Sequence, residues 1–170
     1  MTTTIRRIRP DEGPSLRALR LRALTDAPMA FGSTLAREQA FPDTVWRERA
    51  ERGASGEDRV TFVVEHDGRW LGIVTGLVRD PDVPDDPRPA LVAMFVAPEA
   101  RGRGIGAALV DAVVGWALAR KAAGLTLWVT ASNTAALALY ERCGFRPTGE
   151  CRPLEHSPAV DSIRMAREFR

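Results

Sequence analysis

Arg101-Gly102-Arg103-Gly104-Ile105-Gly106-Ala107 stands where an apolar strand, Ala90 to Val96, passes into a helix. Glycine permits positive φ and lets the backbone come close to a ligand. The first turn of a helix offers unpaired N–H groups and the positive end of the macrodipole, so it suits an anion. Arg101 and Arg103 lie at that same end. There each charge costs roughly 0.3–1 kcal/mol unless an anion neutralises it. The arrangement points to a multiply charged anion. A P-loop is excluded, because no Gly-Lys-Ser/Thr follows. Gly102, Gly104 and Ala107 satisfy a loose dinucleotide pattern, but Ala97-Pro98-Glu99-Ala100-Arg101 intervenes between strand and first glycine. The next strand also ends Val129-Thr130-Ala131, without the acidic residue that a dinucleotide site needs.

Working outward, the helix that opens at the loop runs to about Ala122, with Ile105, Leu109, Val113, Trp116 and Ala117 along one side. Gly124 is expected to end it as a C-cap glycine. Leu125 to Thr130 is the following strand, and such a crossover makes the flanking strands parallel. Ser132 or Asn133 caps another helix, which Gly144 ends. Phe145 to Glu150 and Asp161 to Phe169 read as two last strands. Upstream, Ile5 to Arg9 is a first strand, and Asp11 is expected to cap a helix to about Leu24. Thr34 to Arg52 is helical in one or two pieces. Val60 to His66 and Trp70 to Val78 flank Asp67-Gly68, a two-residue hairpin turn. Ala90 to Val96 reads as buried on both faces. The fold class is α+β, an antiparallel meander leading into one βαβ step.

The bulk properties agree with one soluble domain over residues 1–170, with 45% hydrophobic and 27% charged residues. A net charge of +2 gives no reason to invoke nucleic acid. No run approaches the roughly 18 apolar residues of a membrane span, and the N-terminus has no signal-peptide pattern. A cytoplasmic location and no membrane partner are expected. Cys143 and Cys151 read as free thiols, and His66 and His156 make no metal site. Asp80, Asp82, Asp85 and Asp86 fall in a proline-rich stretch that reads as a solvated connector.

Two strings carry a family resemblance. Val96-Ala97-Pro98-Glu99-Ala100-Arg101-Gly102-Arg103-Gly104-Ile105-Gly106 is similar to the Q/R-x-x-G-x-G/A cofactor motif of the GNAT superfamily of N-acetyltransferases, with its preceding V-x-P turn. Asn133-Thr134-Ala135-Ala136-Leu137-Ala138-Leu139-Tyr140-Glu141-Arg142-Cys143-Gly144-Phe145 resembles that family's N-x-x-A-x-x-x-Y-x-x-x-G-F signature. The resemblance implies a mixed, mostly antiparallel sheet flanked by helices, with a splayed parallel strand pair. It implies acetyl-CoA as co-substrate and no metal. The pyrophosphate would rest on Gly102, Gly104, Ile105, Gly106 and Ala107, with Arg101 and Arg103 nearby. The pantetheine arm would run along Met94, Phe95 and Val96, with Asn133 contacting it or capping the next helix. Tyr140, the chain's one tyrosine, would direct its hydroxyl at the CoA sulfur.

Acetyl transfer to an amine needs a neutral nucleophile, a stabilised oxyanion and a proton for the departing thiolate. Tyrosine, with an unperturbed pKa near 10, can protonate a thiolate. Many family members carry a strand glutamate as base, whereas Ala90 to Val96 and Leu125 to Val129 hold no acidic residue. Glu38, Asp43 or a water chain must then take the amine's proton, the water chain ranking first. Phe31, Trp46 and Trp128 are expected to line the acceptor pocket, with Phe41 and Met94 as further candidates. The acceptor is a small-molecule amine, a peptide N-terminus or a lysine. A non-catalytic acyl-CoA sensor is the alternative, and a homodimer is expected over a monomer.

Overall fold

The computed structural model describes residues 2–170. In chain order it contains β1 (Thr3–Arg7), α1 (Gly13–Asp26), α2 (Leu35–Gln39), α3 (Asp43–Ser55), β2 (Arg59–His66), β3 (Arg69–Leu77), β4 (Ala90–Val96), α4 (Ile105–Ala119), β5 (Gly124–Thr130), α5 (Thr134–Arg142), β6 (Arg146–Leu154) and β7 (Ser157–Glu168). The strands form one sheet in the order β1-β2-β3-β4-β5-β7-β6. Neighbours are antiparallel except β4 and β5, which run parallel across the α4 crossover.

The hairpin forms where the turn chemistry places it, with Asp67 at φ 50° and Gly68 at φ 76°, the left-handed pair of a tight turn matched to strand twist. Strand alternation then divides the core in two. Val60, Val64 and Val74 face α4, joining Leu109, Val113, Leu125 and Met165. Val63, Ile73 and Phe95 face α1 and α3, joining Leu19, Leu24, Trp46 and Ala50. β6 closes one edge as a largely exposed strand whose Pro147 and Pro153 remove donors that would otherwise invite another strand.

Several local expectations shift. α1 begins at Gly13 after Glu12, which makes no side-chain cap. The Glu12 carboxylate is drawn away to Arg6 and to the Arg9 amide, so Asp11 is not the cap. The helical stretch after Thr34 divides at Pro42, the residue before α3, because a residue preceding a helix interior tolerates proline where the interior does not. α4 ends at Ala119, and Lys121 takes the positive φ of 58° that ends the turn. Gly124 is therefore not a C-cap. It opens β5, where a Cβ would lie 2.6 Å from the Arg167 carbonyl oxygen, so a close strand-to-strand approach demands it.

Candidate active site

β4 carries the irregularity that makes a site. Ile73 pairs with Phe95 and Thr75 with Val92, so β4 spends one more residue than β3 over that interval. The extra residue is a β-bulge, and Ala93 within it has a φ of 56°. β4 meets β5 in register only at Ala90 and Thr126. The Thr126 amide also donates to the Pro89 carbonyl at 3.0 Å. Beyond that point the two strands part, and Val92, Ala93 and Met94 are only half-buried. The expectation of a β4 buried on both faces fails at this seam.

A groove of about 620 Å³ follows the open edge of β4 and the start of α4. It brings together Met94, Phe95, Val96, Arg101, Gly102, Gly104, Ile105, Gly106, Ala107 and Asn133 from distant parts of the chain. Gly102 and Gly104 have φ of 76° and 78° with open space where a Cβ would stand. Backbone conformation, not crowding, therefore requires glycine there. The first helical bond runs from the Ala108 amide to the Gly104 carbonyl. The amides of Ile105, Gly106 and Ala107 are consequently the free donors of the first turn. Across the groove, the Asn133 side chain accepts from the Ala136 amide at 3.2 Å; Asn133 is the N-cap of α5, a contribution of about 1 kcal/mol.

The two loop arginines part company. Arg101 donates to the Val96 carbonyl at 2.9 Å and pairs with Asp26 at 2.6 Å, so it ties the loop to β4 and α1. Arg103 is exposed and lies outside the groove lining. Tyr140 also lies outside it. Tyr140 is buried one layer back, its ring edge-on to Phe145 at 5.9 Å, behind Ala136, Leu139 and Cys143, which do line the groove. Burial pushes the Tyr140 phenol above its ordinary value, with Cys143 adding to the shift. Burial likewise raises the Cys143 thiol, so both groups are neutral in the physiological range.

A second cavity, about 360 Å³, opens on the other side of the seam. Phe31 and Phe95 line both spaces, so the two meet there. Phe31, Trp46 and Trp128 all contribute to the second cavity, whereas Met94 belongs to the first and Phe41 packs at a tilt against Trp46, ring centroids 6.0 Å apart. Glu38 is almost wholly buried. It accepts from Arg20 at 3.0 Å and from Arg49 at 2.9 Å, so it is an arginine clamp, and it lines neither cavity. Asp43 lines a separate hollow beside Pro10 and Arg47. Neither reaches the seam as a base. Two carboxylates do line the cavity, Asp80 and Asp82; Asp82 is paired with Arg152, whereas Asp80 is buried and accepts from the Trp128 indole N–H at 3.1 Å. Sequence assigned Asp80 to a solvated loop. Its one local signal was the Asx turn to the Asp82 amide, which any exposed turn shares.

A splayed parallel pair with a glycine loop and free helix amides beneath it defines an acyl-transferring enzyme of the N-acetyltransferase class. The model of the acetyltransferase (GNAT) family matches residues 21–145, and the chain belongs to that family. The Escherichia coli [ribosomal protein bS18]-alanine N-acetyltransferase is 33% identical over 122 residues, covering 71% of this chain and 75% of that protein. Among solved structures, a GNAT-family acetyltransferase from Streptococcus pneumoniae superposes with a TM-score of 0.81 at 20% identity, covering 99% of this chain and 100% of that one. An acetyltransferase from Salmonella typhimurium, solved with its cofactor acetyl-CoA, gives 0.80 at 16% identity over 100% of this chain and 95% of its own.

Proposed function

We propose that this enzyme moves an acetyl group from acetyl-CoA to a primary amine by direct attack within a ternary complex. The observation that carries the reading is the continuous groove from the α4 N-terminus along β4 to the seam, opposite a separate cavity that meets it at Phe31 and Phe95. Cofactor and acceptor thereby approach one point from two sides, as direct transfer requires.

In this reading the amides of Ile105, Gly106 and Ala107 hold the pyrophosphate at the positive end of α4. Gly102 and Gly104 let the loop close around it, and Arg103 supplies charge from the rim. Arg101 acts through the loop, since Val96 and Asp26 already engage it. The arm runs beside Met94, Phe95 and Val96 and past Asn133. The amine lone pair attacks the thioester carbonyl, the C–N bond forms, and the C–S bond breaks with its pair left on sulfur. Tyr140, neutral at working pH, donates the proton to that sulfur once the arm pushes aside Leu139 and Cys143, which line the groove where Tyr140 does not. The amine's proton leaves through water in the acceptor cavity, whose wall includes Asp80. The similarity to an alanine N-acetyltransferase supports a primary amine as nucleophile.

Calorimetric titration with acetyl-CoA, followed by thiol release with an amine panel, tests the proposal. Binding with amine-dependent thiol release is expected. Binding without release under any amine leaves the sensor reading in its place, and absence of binding removes both.

A further inference from the structure

The acceptor cavity has more cations than anions to satisfy them. Arg20, Arg49, Arg59 and Arg152 line it. Glu38 serves both Arg20 and Arg49, and Asp82 pairs with Arg152 at 2.9 Å. Arg59 stands apart: it forms no ion pair among the described residues, and its buried Nε has no hydrogen-bond partner. Burial, with Arg52 and Arg49, outweighs the support that Asp58 and Glu48 give its charge. An arginine held at a cavity wall without a partner costs stability, and its planar fork is shaped for a carboxylate.

The opposite pole is Asp80. It sits beside Trp128 on β5, at the seam where transfer occurs, while Arg59 opens β2. Asp80 follows β3, whose last residue, Leu77, is the register partner of Arg59, so the two groups border the same cavity from neighbouring segments. The cavity size of about 360 Å³ belongs to the small-molecule range. Arg152, stacked over Trp128 at 4.0 Å, closes the wall next to it.

Building on the acetyltransferase reading, we infer that the acceptor is a small amino acid whose carboxylate is bound by Arg59 and whose amine is received beside Asp80. A monoanion fits, because Arg59 is the one cavity arginine that forms no ion pair among the described residues. The step balances simply. The bound ammonium gives one proton to water, the free amine attacks the acetyl carbon, and the second amine proton is matched by the one that the thiolate sulfur takes up. Products are the N-acetylamino acid and CoA.

The test compares acids with their uncharged partners. Thiol release is measured with γ-aminobutyrate against its carboxamide, with glycine against glycinamide for the short spacing, and with a peptide carrying an N-terminal alanine. At least one acid should exceed its carboxamide in kcat/KM by on the order of tenfold, the worth of a charge-assisted hydrogen bond. Arg59→Gln should erase that preference, mostly through KM, while calorimetric affinity for acetyl-CoA changes less than about twofold, as expected of a site separate from the first. Arg59→Met should do the same and raise the unfolding temperature, because it removes a desolvated charge. Equal use of acid and carboxamide, turnover confined to the peptide, or acetyl-CoA binding without transfer to any acid overturns the inference while leaving cofactor binding intact. A fall in unfolding temperature for Arg59→Met makes the residue structural and overturns it too. Failure to bind acetyl-CoA at all is the distinct result that removes the underlying reading.

Discussion

Glu38→Gln is expected to be a stability variant, not a catalytic one. The Glu38 carboxylate is 1% exposed and accepts from Arg20 Nε and Arg49 Nη1. It thereby joins α2 to α1 and α3. Both guanidinia also lie on aromatic faces, Arg20 over Phe31 at 4.6 Å and Arg49 over Phe41 at 5.0 Å. An amide of the same shape keeps the packing but leaves two cations without a counter-charge. Breaking a buried ion pair by removing one partner costs about 3–5 kcal/mol. The lower end applies, since Arg49 is 35% exposed and can rehydrate where Arg20, at 17%, cannot. With an unfolding entropy of about 2.1 cal/mol/K per residue, a loss of about 3 kcal/mol lowers the unfolding temperature of this chain by about 8 °C. Thermal unfolding followed by far-UV circular dichroism measures it, with kcat/KM against pH recorded in parallel below the transition. A fall of under about 2 °C would refute the clamp argument, which needs the full buried-pair penalty. Loss of the acid limb of the pH–rate profile with an unchanged transition would show Glu38 to be the base after all.

Other outcomes follow from the same geometry. Tyr140→Phe should lower kcat about a hundredfold, at the low end for a general acid, with calorimetric acetyl-CoA affinity nearly unchanged; an unaltered kcat assigns the residue to packing against Phe145. Trp128→Phe removes the indole donor to Asp80 and should raise the acceptor KM several-fold, within the range of one hydrogen bond to a charged group, without affecting the acetyl-CoA KM. A change confined to acetyl-CoA would contradict the assignment of the second cavity. Arg88, chiefly by side-chain hydrogen bonding and with help from Arg164, holds the Asp86 carboxyl below the usual carboxylate range. Its folded value lies under its unfolded one, so the contribution is complete at neutral pH and is lost as pH falls from about 4 toward the folded value. Urea midpoints at neutral and acid pH should therefore differ less in Asp86→Asn than in the parent, and an equal difference would exclude the linkage.

What sequence could reveal followed the range of each interaction. Asp67-Gly68 and the glycine loop are local devices, where positive φ falls on Gly68, Gly102 and Gly104 and on Asp67, a residue type that tolerates it. Asn133 was legible for the same reason, its cap reaching only to Ala136. Ala93 shows the limit. It takes a positive φ with an ordinary side chain, because strain from the β3 register imposes it, and no composition signal marks the bulge. Gly124 was read as a helix stop since a glycine demanded by a neighbouring carbonyl looks the same in one dimension. Glu38 and Asp80 depended on partners far along the chain, Arg20 and Arg49 for one and Trp128 for the other. An acidic residue in a polar stretch carries no sign of such burial. Tyr140 was expected at the groove surface; it is buried edge-on to Phe145 while Leu139 and Cys143 line the groove, a choice of face that residue spacing alone does not specify.

The single register pair between Ala90 and Thr126 also has a mechanical meaning. It divides the sheet into a four-strand plate, β1 to β4, and a three-strand plate, β5, β7 and β6, joined along one short line. Within each plate, ladder hydrogen bonds resist shear; across the line, stiffness falls to the packing of α4. Any chain laid along β4 that takes up its edge amides bolts the plates together. Amide exchange at Met94, Phe95 and Val96 would then slow most, and the distant Asp67-Gly68 turn would hardly register the event.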